Sequence, residues 1–295
     1  MFDRLKVAEG RAVNNMGFAT GLTNKPSELV RQAAGARRFA RDPGTSWRRA
    51  CSCTTMHAME HLIPLPNILA ANELIRPHLH HTPMLHSRIL GECMGVDLNL
   101  KCENLQKTGS FKPRGALHKV LSLSVEEQRA GIITVSAGNH AQAVAWAASV
   151  VGAPAVVVMP QGAPQSKLEA VRGYGGEIVL HDDRATLFDR LHEEQEKRGC
   201  TFVHPFDDPV LLAGTASVGL EILEDLPEVE VVFVPVGGGG LLSGVTSSIK
   251  QLRPGTRIVA VELAAGPGLQ PALDAGHPVP VSRPVTWADG MTPPF

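Results

Sequence analysis

Lys112 stands in the segment Thr108-Gly109-Ser110-Phe111-Lys112-Pro113-Arg114-Gly115-Ala116, framed by two glycines, two small hydroxyls and one aromatic ring. A free lysine amine has a pKa of about 10.4, so it becomes a nucleophile only when it is desolvated or linked as a Schiff base. The segment suits an amine held against a flat molecule. On spacing alone it equally suits a solvated lysine at a helix start. A second segment bears on the choice. Val231-Val232-Phe233-Val234-Pro235-Val236 reads as a strand buried on both faces, and it leads through Gly237-Gly238-Gly239-Gly240 into Leu241-Leu242-Ser243-Gly244-Val245, a helix start. Four glycines leave only backbone amides at this turn, and with a helix N-terminus they form a cup for an anion such as phosphate.

A reactive lysine and a phosphate cup together suggest pyridoxal phosphate, which needs both. The rival is a dinucleotide fold, with Glu262 as the distant acid. Its G-x-G-x-x-G spacing fails here, because the third glycine position holds Leu242 or Ser243. A third segment, Thr134 to Ala148, reads as the end of a short strand, Ile132 to Val135, followed by small polar residues and an alanine-rich helix. Ser136, Asn139 and free amides at that helix start offer a seat for a carboxylate. Taken alone, either side chain could equally be an ordinary helix cap.

The three ordered motifs TGSFKPRGA, SAGNHAQA and PVGGGGLLSG resemble those of the serine/threonine dehydratase (threonine ammonia-lyase) family of fold-type II pyridoxal phosphate enzymes. The likeness runs from about Ile63 to Gly290. It includes Thr82-Pro83 with Ser87, Glu103-Asn104-Leu105-Gln106 and Val158-Met159-Pro160. It implies a two-domain α/β fold like the tryptophan synthase β-subunit, with parallel-rich sheets flanked by helices. Lys112 would form the internal aldimine and Phe111 would pack beside the ring. Asn139 would bond the ring's phenolic oxygen, and Gly237, Gly238, Gly239, Gly240 and Leu241 would bind the phosphate. Ser136, Ala137, Gly138, Asn139 and His140 would receive the substrate carboxylate. The implied reaction is dehydration and deamination of L-threonine or L-serine to a 2-keto acid and ammonia. Racemisation of serine uses the same carbanion and would need a second acid/base, for which Ser136 is the candidate. Other β-eliminations of the fold type stay open too. The resemblance also implies a homodimer or homotetramer and a cytoplasmic location.

The elements that must position these residues alternate strand and helix from Leu98 onward, as parallel sheets covered by helices do. Strands are expected at Ala155–Met159 and Glu177–Leu180, and helices from Ala163 to Gly173 and from about Ala185 to Arg198. Residues 123–207 read as a small domain, set between 61–122 and 208–295, which form the large cofactor-binding domain.

At 295 residues, 43% hydrophobic and with a net charge of −1, the chain can bury one large core or two smaller ones. Its charge points to no nucleic-acid partner, and no apolar run approaches the roughly 18 residues of a membrane helix. A small amino acid is the expected partner. Cys51-x-Cys53 lacks a second pair and His78-Leu79-His80-His81 reads as a solvated loop, so no metal site is expected. Gly268 stands where relatives that bind a cation have a carboxylate beside the acid matching Glu262. Five scattered cysteines fit reduced thiols.

Two stretches depart from the family pattern. Residues 1–60 lack sustained periodicity, and are expected to be a disordered extension or the product of a mis-set start, with Met56 or Met59 as the true one. After Ala288-Asp289-Gly290 the chain stops at Phe295, where relatives continue, so the large domain is expected to be C-terminally truncated. That keeps a second class open, a non-catalytic remnant that binds the cofactor or a partner without turnover. Ala213-Gly214-Thr215-Ala216-Ser217 also departs, lacking the usual glutamine and glycine, which bears on packing near the phosphate loop.

Overall fold

The computed structural model describes residues 5–7, 62–282 and 284–292. The elements run β1 (Leu5–Val7), α1 (Leu65–Ile75), β2 (Met84–His86), α2 (Arg88–Met94), β3 (Asn99–Lys101), α3 (Lys112–Leu121) and α4 (Val125–Ala130). Next come β4 (Ile132–Val135), α5 (Asn139–Val151), β5 (Ala155–Pro160), α6 (Gln165–Gly173), β6 (Glu177–His181), α7 (Leu187–Arg198) and β7 (Thr201–Phe202). The last are α8 (Pro209–Thr215), α9 (Ser217–Asp225), β8 (Val231–Pro235), α10 (Gly240–Leu252), β9 (Arg257–Leu263) and α11 (Leu269–Ala275). They gather into two compact units. One contains Leu65–Pro83 and Cys102–Val218; the other contains Met84–Lys101 and the described residues of Met1–Pro64 and Gly219–Phe295.

The unit that holds Lys112 is built on a parallel sheet of order β6-β5-β4-β7. Ile132 aligns with Ala155 and with Thr201, and Val156 aligns with Glu177. Parallel neighbours need crossover connections, which α5, α6 and α7 supply. The central strands β4 and β5 are buried throughout, as their unbroken β-branched runs require. Their side chains alternate between two packed faces: Val157 and Met159 meet Ala141, Ala145, Leu168 and Val171, while Val156 and Val158 meet Ile133, Leu191 and Cys200. A further cluster packs Ala143, Val144 and Ala147 of α5 on Leu117 and Val120 of α3 and on Leu211 of α8. Thus α3, the helix that begins at Lys112, packs in the same unit as residues 123–207.

That packing explains two glycines. A Cβ on Gly115 would lie 2.6 Å from Thr215 Oγ1 and 2.7 Å from Leu211 O, and a Cβ on Gly214 would collide with Arg114 O. The departing segment around Gly214 therefore packs on the lysine helix, backbone against backbone.

In the other unit, the sheet has the order β1-β9-β8, with β8 parallel and β1 antiparallel to β9. Leu5 aligns with Leu263 and Val7 with Val261, a pairing that the aperiodic start of the chain does not announce. The remainder of the expected extension, with Cys51-x-Cys53, lies outside the described residues. β8 differs from expectation. Val234 and Val236 are buried, but Phe233 is 39% exposed and Pro235 is exposed too. Among the described residues β8 is an edge strand with one packed face, and an apolar run cannot tell one covered face from two.

Candidate active site

Lys112 is the first residue of α3, followed by Pro113 where a missing N–H costs nothing. Two residues on, Arg114 is 1% exposed and grips Glu103 through Nε at 2.7 Å and Nη2 at 2.8 Å. Thr82 Oγ1 donates to the same carboxylate at 2.6 Å. This buried fork fixes the start of the helix and with it the lysine. Just upstream, Thr108 has φ 60°, a left-handed conformation that costs a threonine energy, and Gly109 follows at φ 72°. The turn they make carries two buried hydroxyls, Thr108 Oγ1 and Ser110 Oγ, that have no hydrogen-bond partner among the described residues.

The Lys112 amine meets no carboxylate among the described residues. Its Nζ donates to the Pro205 carbonyl at 2.5 Å and lies 5.2 Å from the centre of the Phe111 ring. Burial with no compensating negative charge pushes its pKa down to about 8. That raises the neutral fraction at pH 7 about 300-fold over an ordinary lysine.

The loop after β4 lies in the same unit. Ser136 N donates to Val158 O at 3.1 Å, and Ser136 Oγ accepts from Gly138 N at 3.1 Å, closing a small turn. Gly138 precedes α5 and no side chain caps the helix. Neither Ser136 nor Asn139 is therefore the ordinary cap that spacing alone allowed. Asn139 Oδ1 instead accepts from Lys167 Nζ at 3.0 Å. His140 is buried, its Nε2 against Val203 O at 3.1 Å. Burial first, then the charge of Lys112, drives its pKa down to about 3, so the ring is neutral at physiological pH. Ala137 and Gly138 are half-buried and bring only backbone to the loop.

Gly237, Gly238, Gly239, Gly240 and Leu241 lie in the other compact unit. Gly239 has φ +84°, closed to most residues, and a Cβ built there would meet nothing within 4 Å. Gly237 sits so close to Gly290 O that a side chain would collide. The cup is thus bare backbone at the head of the 13-residue helix α10, whose first N–H groups have no partner within the helix. Leu241 is half-buried. In the same unit Glu262 Oε1 accepts from Gly268 N at 2.9 Å and Leu269 N at 2.7 Å, capping α11.

The model of one protein family, described as pyridoxal-phosphate dependent enzyme, matches residues 75–295. The chain belongs to this family. It is 45% identical to the L-threonine ammonia-lyase of Thermotoga maritima, over 78% of this chain and 58% of that protein. Among solved structures, it is similar to maize serine racemase, with a TM-score of 0.75 and 37% identity over 77% of this chain and 69% of the other. The processed form of threonine deaminase isoform 2 from Solanum lycopersicum is similar too, with a TM-score of 0.72 and 38% identity over 77% of this chain and 66% of that one. The chain therefore spans well under two thirds of the Thermotoga relative. These likenesses bear out the expected fold type. Each unit by itself carries residues that suit the family cofactor, pyridoxal phosphate: a desolvated amine and two unpartnered buried hydroxyls in the one, and a glycine cup free of side chains in the other.

Three features were not legible beforehand. Lys167 on Asn139 and Pro205 O on Lys112 join residues 28 and 93 positions apart, and the Glu103–Arg114 fork spans 11 across the turn before α3. The concentration of proline, histidine and phenylalanine in Val203-His204-Pro205-Phe206 was the one available signal.

Proposed function

We propose that this chain eliminates water from L-threonine or L-serine and that water is taken up again as the resulting imine is hydrolysed, giving a 2-keto acid and ammonia. The observation that carries the reading is the amine of Lys112, held near pKa 8 by burial within the motif that the family resemblance singles out. Bound pyridoxal phosphate supplies an electron sink for the negative charge that develops at the substrate α-carbon. Lys112 would hold the cofactor through its Nζ and, with that amine free, would take the substrate's α-proton there. A base near pKa 8 can both accept that proton and return it at neutral pH. Gly237, Gly238, Gly239, Gly240 and Leu241 bind the cofactor phosphate through backbone N–H groups. Phe111 flanks the ring and Asn139 bonds its phenolic oxygen. The substrate carboxylate is received by the backbone and side chains of Ser136, Ala137, Gly138, Asn139 and His140 at the head of α5. The one ring N–H of neutral His140 is given to Val203 O, so its share in that seat is its backbone N–H. Residues 123–207 act as the small domain, with 61–122 and 208–295 as the large one.

Likeness to maize serine racemase supports a second activity. Ser136 would then be the second acid/base, since its oxygen already accepts from Gly138 N and its proton is left to give. The partner is a small amino acid, with a homodimer or homotetramer and the cytoplasm as the proposed setting. The thiols of Cys93 and Cys200 fit a reducing compartment. The test is to incubate the purified chain with pyridoxal phosphate, reduce with borohydride, and map the cofactor mass by peptide mass spectrometry. Ammonia and keto-acid release from threonine, serine and D-serine are then compared. Label on Lys112 with keto acid formed supports the lyase. Label without turnover leaves a cofactor-binding remnant, and no label at Lys112 ends both readings.

A further inference from the structure

The partner of the Lys112 amine is a main-chain oxygen, so the amine's position depends on the turn that presents Pro205. That turn is closed by a histidine. His204 Nδ1 accepts from Asp207 N at 2.8 Å and from Phe206 N at 3.3 Å, as an asparagine side chain does in an Asx turn. The imidazole is held edge-on between two rings, Phe202 at 5.6 Å and Phe206 at 4.8 Å. On the preceding carbonyl, Val203 O, converge Thr134 Oγ1 of β4 at 2.9 Å and His140 Nε2 of α5 at 3.1 Å. Beyond the turn, Asp208 caps α8 through Val210 N at 2.8 Å and pairs with Lys119 of α3 at 2.8 Å. One short turn therefore joins the lysine, the strand before the Ser136 loop, and the helix packed on α3.

We propose that His204 is a positioning residue for Lys112: as the neutral Nε2–H tautomer it closes the turn that sets the Pro205 carbonyl against the amine and keeps water from it. An Nδ1 that accepts two N–H bonds cannot carry a proton, so protonating the ring opens the turn. The groups facing the imidazole are Asp207 and Asp208, which favour its charged form, Lys112, which opposes it, and His140. Burial is the largest influence and lowers its pKa from 6.5, so the turn is closed at pH 7 and opens in acid. The inference rests on Lys112 being the reactive amine of the preceding section, but it concerns the cofactor-free chain and needs no turnover.

The test is a pH titration of Lys112 acylation in the cofactor-free, full-length chain, read by peptide mass spectrometry. The wild-type midpoint is expected near 8. His204→Phe keeps the ring stacking but has no acceptor; water then reaches the amine, and the midpoint rises by about one unit or more toward 10.4. His204→Asn places an oxygen near the lost Nδ1 and is expected to restore a midpoint close to 8. An unchanged midpoint in a folded His204→Phe protein overturns the proposal, as does His204→Asn behaving like His204→Phe. Should His204→Phe not fold, ¹⁵N spectra of the wild-type imidazole decide: a protonated Nδ1 at pH 7 overturns the proposal, and the Nε2–H tautomer upholds it. A chain that shows the expected shifts yet takes up no pyridoxal phosphate would sink the functional reading and leave this one standing.

Discussion

Lys101 and Lys112 are both withdrawn from water, and they come out as different chemical groups. The Lys101 side chain is 7% exposed and its Nζ lies 2.8 Å from Glu221 and 2.9 Å from Asp225. Two carboxylates offset the cost of burying its charge, and the result is a structural ion cluster. Lys112 has a carbonyl and the face of a ring instead, and burial takes it down to about 8. The counter-charge, not the burial, separates a strut from a nucleophile. Lys250 adds a limit to that lesson. Its amine also rests on carbonyls, Pro254 O at 3.1 Å and Thr256 O at 2.5 Å, and burial lowers it to about 8 as well. A lowered pKa therefore does not mark a site by itself. Lys112 is set apart by the unpartnered hydroxyls of Thr108 and Ser110 and by neutral His140, whose pKa its charge lowers.

The comparison breaks most directly at the two lysines themselves. Lys112→Ala is expected to abolish the borohydride-fixed cofactor and to cut ammonia release at least ~1,000-fold, whereas Lys101→Met keeps the cofactor on Lys112. What Lys101→Met loses is stability, about 1–3 kcal/mol in urea unfolding, because the buried carboxylate of Glu221 loses this cation while that of Asp225 is open to water. A linkage lost in folded Lys101→Met would erase the distinction.

His140 extends the comparison to acid. Its pKa is about 3 in the folded chain against an ordinary 6.5, so the stability it contributes is full above 6.5 and is lost as pH falls toward 3. Melting temperatures of His140→Gln should fall less steeply than wild type between pH 6.5 and 4, a difference of about 3 kcal/mol at the acid end. Parallel curves would show that the ring is not desolvated.

The buried amine of Lys112 acts in the opposite direction. The unfolded chain binds its proton more tightly, so burial of Lys112 costs stability below pH 8, and the cost fades as pH rises to 10.5. Lys112→Met is expected to be about 1–3 kcal/mol more stable than the cofactor-free wild type at pH 7, with the gain gone above pH 10.5. The smallest effect belongs to Lys250→Met, which is expected to shift stability by less than about 1 kcal/mol and to leave the cofactor linkage intact. Loss of the linkage there would move the site.

Much of the scaffold was legible because it obeys local rules. Runs such as Ile132–Val135 and Ala155–Pro160 are strands wherever helices can cover them, and the helices ending at Gly173 and Arg198 follow from their patterning. The Val231–Pro235 strand was legible as a strand but not in its exposure, since Phe233 would read the same on either kind of sheet. Ser136 and Asn139 were legible as polar residues at a helix start. That one closes a turn and the other takes the Lys167 amine depends on α6 reaching them from 28 residues away.

By itself the sequence determined the order of three motifs, the bare glycine cup, the run of strands and helices, and through these the family and its cofactor. Such features rest on backbone freedom and side-chain periodicity, which are properties of neighbours along the chain. Only the tertiary structure decided which lysine becomes an amine. Pro205 reaches Lys112 across 93 positions and Asp225 reaches Lys101 across 124. Water exclusion and counter-charge, the two quantities that set a pKa, come from residues that meet only when the chain has folded.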